Sequence, residues 1–254
     1  MHNAAFAACG LDWVFLAFDA PAGGGGAALQ AARTLGLAGL SVTMPLKSEV
    51  AAQVDEHTPA VAALGAANTI SLMPDGRLLA DSTDGPGFVD TLRLDHGLDP
   101  GGWRVVVLGA GGAARSVVLA LASAGCQDVV VVNRTRGRGE AAAALAGAAG
   151  RVGAVEAVEQ ADLVVNATPL GMGADARLPL DPARLQAGQV VADLVYHPRQ
   201  TPLLAAALAR GCTTVDGLGM LVHQGARQFA LWTGVEAPRA VMRAAAEAAL
   251  DGPA

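Results

Sequence analysis

Three short segments hold the residue types best suited to chemistry: GLSVTMPLK from Gly39 to Lys47, DSTDGPGF from Asp81 to Phe88, and VVVLGAGGAARS from Val105 to Ser116. The first two supply a lysine, Lys47, and a carboxylate, Asp84. The third is a glycine-rich loop of the kind that cradles a dinucleotide pyrophosphate. A titratable pair combined with a nicotinamide cofactor suits the interconversion of a secondary alcohol and a ketone. That reaction sends a hydride to the cofactor and a proton to a base within hydrogen-bond reach. Alone, neither residue says much, since a lysine is ordinarily solvated and an aspartate before glycine ordinarily forms a turn. Their setting is more informative. Lys47 follows Thr43 and the Met44-Pro45 break at the carboxyl end of an expected buried strand, where ligands bind in open α/β sheets, and Asp84 follows a second expected strand. A lysine acts as a base near neutrality only if burial or cationic neighbours favour its neutral form, and a carboxylate neighbour does the opposite. Two roles therefore stay open: the pair handles the proton jointly, or Lys47 chiefly binds the alcohol oxygen and the developing alkoxide.

The cofactor loop has the context that its chemistry requires. Val105 to Leu108 is a continuous apolar run, as expected of a strand buried on both faces, and it leads directly into Gly109, Gly111 and Gly112 and then a helix. Gly109 allows the tight turn, Gly111 lets the backbone approach the pyrophosphate, and the helix N-terminus offers N–H groups and a positive dipole end to the anion. Ala114 stands at the third glycine position. An NAD site places an acidic residue roughly 20 residues further on, to accept hydrogen bonds from the ribose 2′-hydroxyl. Here the second strand ends instead in Asn133, Arg134 and Thr135, with Arg136 and Arg138 close behind. Guanidinium groups attract a 2′-phosphate through charge-assisted, often bidentate hydrogen bonds, so NADP is expected rather than NAD.

The elements that must position these residues fall into two expected domains. Residues 1–100 alternate helix and strand signals: a helix over Ala27 to Leu35, a short buried strand over Gly39 to Thr43, a helix over Lys47 to Asp55, and a hairpin from Asn68 to Leu72 and Arg77 to Ala80 around Pro74-Asp75-Gly76. Phe88 to His96 reads as a further helix. The Gly97 to Gly102 run then reads as a linker. Residues 101–219 repeat strand and helix, with strands at Asp128 to Val132, Leu163 to Asn166, Val190 to Leu194 and Thr213 to Asp216, and helices at Gly139 to Ala149 and Pro202 to Arg210. That order predicts a parallel, doubly wound, Rossmann-like sheet. Residues 220–254 are helical in pattern and are expected to complete the first domain. Thr201-Pro202 reads as a helix N-cap with proline at the first helical position. His223 shows no spacing that suggests a metal site, and no metal is expected. Phe229 and Trp232, three apart on a helix, read as core.

Composition narrows the class. The 254 residues suffice for two modest domains, each with a core; 52% are hydrophobic, many of them alanine, and 16% are charged, which fits a globular chain. The longest uncharged stretch, His57 to Pro74, contains Pro59, Gly65, Asn68 and Thr69, so no membrane anchor is expected. The opening residues have no basic region before an apolar core, and the three cysteines, Cys9, Cys126 and Cys212, show neither disulfide nor metal spacing, which makes the cytoplasm the expected compartment. A net charge of −6 opposes nucleic-acid binding. The expected partner is a small-molecule substrate, with the chain a monomer or homodimer.

Taken together, GLSVTMPLK, GAANT (Gly65 to Thr69), STDGPGF, VLGAGGAARS, NRT, NATPLGM (Asn166 to Met172), DLVYHP (Asp193 to Pro198), DGLGMLVHQGA (Asp216 to Ala226) and FALWTG (Phe229 to Gly234) resemble the shikimate dehydrogenase family, in order and over nearly the whole chain. The resemblance implies two α/β domains with a cleft between them, NADP on the Rossmann-like domain, and reversible reduction of 3-dehydroshikimate to shikimate. It implies that Lys47 and Asp84 are the catalytic pair and that Asp84, Thr43, Asn68, Gln224 and Tyr196 meet the substrate. Gly109, Ala110, Gly111, Gly112 and Ala113 match the pyrophosphate loop, and Asn133, Arg134, Thr135 and Arg138 match the clamp on the adenosine phosphate. Thr168, Met172 and Gly217 match the residues around the nicotinamide. Tyr196 read on its own is equally a packed strand residue.

The match also departs from the family pattern. Ser41 and Ser82 stand where asparagine is commoner, and the family's first strand and Ser-x-Ser segment, whose hydroxyls bind the substrate carboxylate, are not among these residues. Their lack is expected to remove neutral donors from the substrate and a strand from the first sheet. A catalytically silent NADP-binding protein is therefore one alternative, which intact Lys47, Asp84, Asn68 and Gln224 oppose. A quinate/shikimate dehydrogenase using NAD is another, which the arginine cluster opposes.

Overall fold

The structure is a computed structural model and describes residues 1–251. The chain forms two compact units, one made of Met1–Asp84 with the chain from Gln224 onward, the other of Gly85–His223.

The first unit opens with α1 (His2–Ala8) and α2 (Gly25–Leu35), followed by β1 (Gly39–Ser41), α3 (Lys47–Ala51), β2 (Glu56–His57), α4 (Pro59–Leu64), β3 (Thr69–Leu72) and β4 (Leu78–Asp81). Its sheet runs β1-β3-β4-β2, antiparallel except for the β2–β4 pair. The core beneath it gathers Leu29, Val50, Val61, Ile70, Leu78 and Ala80. Each fully buried aliphatic side chain of this kind contributes roughly 1.5–3 kcal/mol. The expected hairpin is present, but β1 is an edge strand with one neighbour, half-buried at Gly39 and Leu40 and exposed at Ser41, so the expectation of a buried strand does not hold. The helix starting at Lys47 ends at Ala51, short of the expected Asp55, because Asp55 is drawn into the sheet: its N–H donates to Leu78 O and its carboxylate accepts from Leu78 N. Thr58 caps α4 by accepting from Val61 N at 3.4 Å, with Pro59 at the first helical position. That short element had no periodic signal of its own.

The second unit continues from α5 (Asp84–Asp90) through a π turn over Thr91–Asp95 to β5 (Arg104–Leu108), α6 (Gly112–Ser123), β6 (Asp128–Val132), α7 (Arg136–Ala143), β7 (Gly150–Val152), β8 (Leu163–Asn166), β9 (Val190–Asp193), α8 (Pro202–Ala209) and β10 (Thr213–Val215). Helix α9 (Gly217–Thr233) leads back into the first unit, which α10 (Arg239–Asp251) completes. The six strands are all parallel, in the order β10-β9-β8-β5-β6-β7. Alternate residues feed two cores. Val105, Val107, Val129, Val131, Leu163 and Val165 pack into one, and Val106, Leu108, Val130, Val164 and Val191 into the other. That burial on both faces is what makes the strands read as continuous apolar runs.

The units part at Asp84 and Gly85, upstream of the Gly97 to Gly102 linker that divides 1–100 from 101–219 in sequence, and again at His223 and Gln224. The reason is packing: Phe88 and Leu92 are buried in the same cluster as Val105, Val117 and Leu121. The expected covering helix over Gly139 to Ala149 is also shorter. It ends at Ala143 and continues as a 3₁₀ turn with a kink at Gly147, whose φ of 56° favours glycine.

Candidate active site

In the first unit Lys47 and Asp84 come together. Lys47 opens α3 and Asp84 opens α5, and Nζ lies 2.6 Å from Asp84 Oδ2. Both side chains are mostly sheltered, 23% and 12% exposed. Asn68, buried at the entrance to β3, donates from Nδ2 to Asp84 Oδ1 at 2.7 Å and to Thr83 Oγ1 at 2.9 Å, and reaches Gln224 Oε1 at 3.3 Å. Its own Oδ1 accepts from Thr83 N at 2.8 Å and from Thr69 Oγ1 at 2.9 Å. The backbone fixes the frame: Ala67 N donates to Lys47 O, and Val42 N to Asn68 O. Lys47, Asp84, Asn68 and Gln224, apart in sequence, thus form one polar cluster. Thr43 is exposed on the β1–α3 loop, where its carbonyl accepts from Leu46 N, and among the described residues it makes no hydrogen bond to the cluster. Gln228 extends the network beyond what sequence reading found. Fully buried, it donates to Asn68 O at 3.2 Å and to Thr69 Oγ1 at 3.1 Å. The signal for it was present in the sequence, because Gln228 lies one helical turn after Gln224.

A lysine and a carboxylate bridged this closely can pass a proton between them and hold an oxygen that gains negative charge. Asn68 fixes the second carboxylate oxygen, so one face of Asp84 is committed to the scaffold and the other to Lys47.

In the second unit the glycine loop joins β5 to α6 as expected. Gly109 has a φ of 108°, and a Cβ there would fall 2.9 Å from Ala167 O, so both its conformation and its space require glycine. Gly111 and Gly112 differ: a Cβ at either would meet no protein atom within 4 Å. The protein's own packing does not call for glycine there, whereas the close approach of a ligand would. Gly111 caps α6 without a side-chain bond, leaving first-turn N–H groups for an anion. Ala110 and Ala113 lie in the same loop, and Ala114, at the third motif position, is fully buried against the sheet. At the end of β6, Asn133 donates to Thr135 O at 2.8 Å, and Arg136 is paired with Glu140. Arg134 and Arg138 are exposed and make no ion pair among the described residues. The residues present therefore fit a dinucleotide carrying a 2′-phosphate.

Thr168 and Met172 lie on the loop after β8, Thr168 donating to Asn166 Oδ1 at 2.7 Å and Met172 55% exposed. Tyr196 follows β9 and is exposed, so reading it as a packed strand residue does not hold. Gly217 opens α9 so close to β9 that a Cβ would fall 2.5 Å from Leu194 O, a packing reason for glycine independent of any ligand. Gly85 is likewise fixed by packing, its position lying against the backbone of α6 at Ser116. His223 pairs with Asp95 at 3.0 Å. Phe229 is buried and stacks on Phe6, as a core residue does, whereas Trp232 is half-buried and donates to Ile70 O at 3.0 Å.

A doubly wound dinucleotide-type sheet joined to an α/β unit bearing a lysine–aspartate pair defines a two-part α/β oxidoreductase. Residues 1–70 match the family described as the shikimate dehydrogenase substrate binding domain, residues 98–170 that described as shikimate / quinate 5-dehydrogenase, and residues 217–247 that described as the shikimate 5′-dehydrogenase C-terminal domain. The chain belongs to the shikimate dehydrogenase family. It is 48% identical to shikimate dehydrogenase (NADP(+)) of Moorella thermoacetica, over 100% of this chain and 90% of that protein. It is 46% identical to the Symbiobacterium thermophilum protein of the same name, over 99% and 90%. The Thermus thermophilus shikimate 5-dehydrogenase, solved in complex with NADP(H) and shikimate, superposes with a TM-score of 0.92 at 36% identity, covering 98% of this chain and 93% of that one.

Proposed function

We propose that the protein is an NADP-dependent shikimate dehydrogenase, interconverting shikimate and 3-dehydroshikimate. In the oxidising direction the substrate carbon bearing the reacting hydroxyl loses a hydride, the hydroxyl loses a proton, and a ketone, NADPH and a proton are formed. NADP, when bound, supplies the hydride acceptor. Every other part falls to the chain itself. Lys47 Nζ donates to the substrate oxygen and stabilises charge developing on it, and Asp84 holds that ammonium in place and shares the proton. Asn68, Gln224, Thr43 and Tyr196 offer donors and acceptors to a polyhydroxylated ring. The α6 N-terminus and the glycine loop hold the pyrophosphate, Arg134 and Arg138 hold the 2′-phosphate, and Thr168 and Met172 border the nicotinamide. The observation that carries this reading is the 2.6 Å Lys47–Asp84 pair, with Asn68 on the other carboxylate oxygen, in a chain 48% identical to a protein so named.

No described helix is long and apolar enough to cross a membrane, and the cytoplasm is the proposed compartment, with a monomer or homodimer as the assembly. The experiment is the initial rate of NADPH formation, followed by absorbance, with shikimate and NADP at mildly alkaline pH. Lys47→Ala should lower kcat by about 10²–10⁴-fold, the range for a lost acid–base group. An inactive wild-type chain that nevertheless binds NADP would overturn the reading, as would full activity in both Lys47→Ala and Asp84→Ala.

A further inference from the structure

We propose that Asp193 is a positioning residue for the cofactor, acting through Asn166 and Thr201 to set the 167–173 loop against the glycine turn. The inference rests on the reading that the second unit binds NADP.

Asp193 ends β9 in register with Asn166, which ends β8, and Asn166 is in turn in register with Leu108 at the end of β5, just before the glycine turn. All three strand ends therefore share the carboxyl edge of the sheet, where an open α/β sheet binds its ligand. Asp193 is 1% exposed and makes no ion pair among the described residues. It accepts three neutral donors instead: Asn166 Nδ2 at 2.9 Å and Val195 N at 3.0 Å on Oδ1, and Thr201 Oγ1 at 2.7 Å on Oδ2. Burial pushes the Asp193 carboxyl above the usual carboxylate range, opposed by those three bonds. A buried carboxylate with no cation is an unfavourable way to join two loops.

A carboxylate can only accept, and that fixes the direction of every bond around it. Asn166 must turn its amide nitrogen toward Asp193, which leaves its Oδ1 to accept from Thr168 N at 3.1 Å and Thr168 Oγ1 at 2.7 Å. Thr201 must give its hydroxyl proton to Asp193, which leaves a lone pair for Leu204 N, the bond that caps α8. With an amide at 193 the oxygen would stay on Val195 N and Asn166 Nδ2, and the NH2 group would meet Thr201 Oγ1, which could then no longer donate there. Thr201 therefore does more than cap a helix.

The loop so held abuts the cofactor turn directly. A Cβ on Gly109 would fall 2.9 Å from Ala167 O and 3.2 Å from Thr168 Cγ2. The arginines proposed for the 2′-phosphate follow β6, on one side of β5, while this loop follows β8, on the other. In a doubly wound sheet the dinucleotide lies across that switch point, so the 167–173 loop faces its nicotinamide half.

The test is Asp193→Asn in the full chain, with adenosine 2′,5′-bisphosphate as a probe of the adenosine side alone. Bisphosphate affinity should stay within about twofold, while KM for NADP rises and kcat falls by roughly tenfold or more, the scale on which small misplacements act. The primary isotope effect with shikimate deuterated at the reacting carbon should increase, because hydride transfer becomes slower relative to product release. Thr201→Val should reproduce the pattern and Thr201→Ser should restore near wild-type behaviour. That pair decides the matter if Asp193→Asn does not fold. Equal weakening of bisphosphate and NADP would show a merely structural role and overturn the proposal, as would unchanged KM and kcat. A wild-type chain that fails to bind the bisphosphate would instead overturn the NADP reading on which this rests.

Discussion

Asn68 Nδ2 stands 2.7 Å from Asp84 Oδ1, on the oxygen opposite the one that faces Lys47. The asparagine is buried and its own oxygen is fixed by Thr83 N, so the amide cannot turn without breaking bonds on both ends. Asn68→Ala should leave one carboxylate oxygen without its partner and let Asp84 swing relative to Lys47. A lost hydrogen bond to a charged group is worth about 1.5–3 kcal/mol, so kcat/KM for shikimate should fall roughly 10- to 100-fold. Steady-state kinetics on the soluble variant would check this, and a loss under about twofold would remove Asn68 from the machinery.

The absence of an acidic residue at the end of β6, with Arg134 and Arg138 exposed and without ion pairs among the described residues, makes the 2′-phosphate the natural counterion. Arg134→Ala should therefore lower kcat/KM for NADP by about 10- to 100-fold, the scale of a charge-assisted contact, and leave the weaker use of NAD nearly unchanged. Parallel assays with both cofactors measure it. Equal losses would mean that the arginine does not read the phosphate.

Two glycines two positions apart in the loop, Gly109 and Gly111, should respond differently to the same substitution. Gly109 combines a φ of 108° with a Cβ position 2.9 Å from Ala167 O, so Gly109→Ala should cost about 1–3 kcal/mol in urea unfolding. Gly111 has a φ of −78° and open space beside it, so Gly111→Ala should leave stability within about 0.5 kcal/mol. Its effect should appear as a raised KM for NADP. A Gly111→Ala variant with unchanged KM would mean that nothing approaches that backbone closely.

The sequence made the second unit far more legible than the first, for a physical reason. Strands such as Val105 to Leu108 and Asp128 to Val132 are buried on both faces, so their apolar runs stand out and their bounds came out nearly as read. In the first unit β1 lies at an edge and β2 has two residues, so neither carries a full pattern. The compact units part at Asp84 and Gly85 and not at the Gly97 to Gly102 linker, because a Gly-Pro linker is visible in sequence whereas the packing of Phe88 and Leu92 on α6 and β5 is not. In the site, Lys47, Asp84, Asn68 and Gln224 were legible through their motifs. Asp193 was not, since a polar residue that ends an apolar strand shows its partners only once the chain is folded, and Gln228 was marked only by its place one helical turn after Gln224.

His2 is buried among the rings of Phe6, Phe15 and Trp232, with centroids 4.5 Å away at Phe15 and 5.4 Å at Trp232, and its Nδ1 has no hydrogen-bond partner. Burial pushes its pKa down to about 4. The unfolded chain, with the ordinary value of 6.5, binds the proton first as pH falls. Stability is therefore complete above about pH 6.5 and is lost between there and about pH 4, by roughly 2–3 kcal/mol. His2→Phe keeps a ring in the aromatic cluster and removes the titration. Urea unfolding at pH 7 and pH 4.5 should show the wild type losing about that much more stability than the variant, since all other titrating groups are shared. The same loss in both proteins would mean that the His2 ring is protonated as readily in the fold as in water.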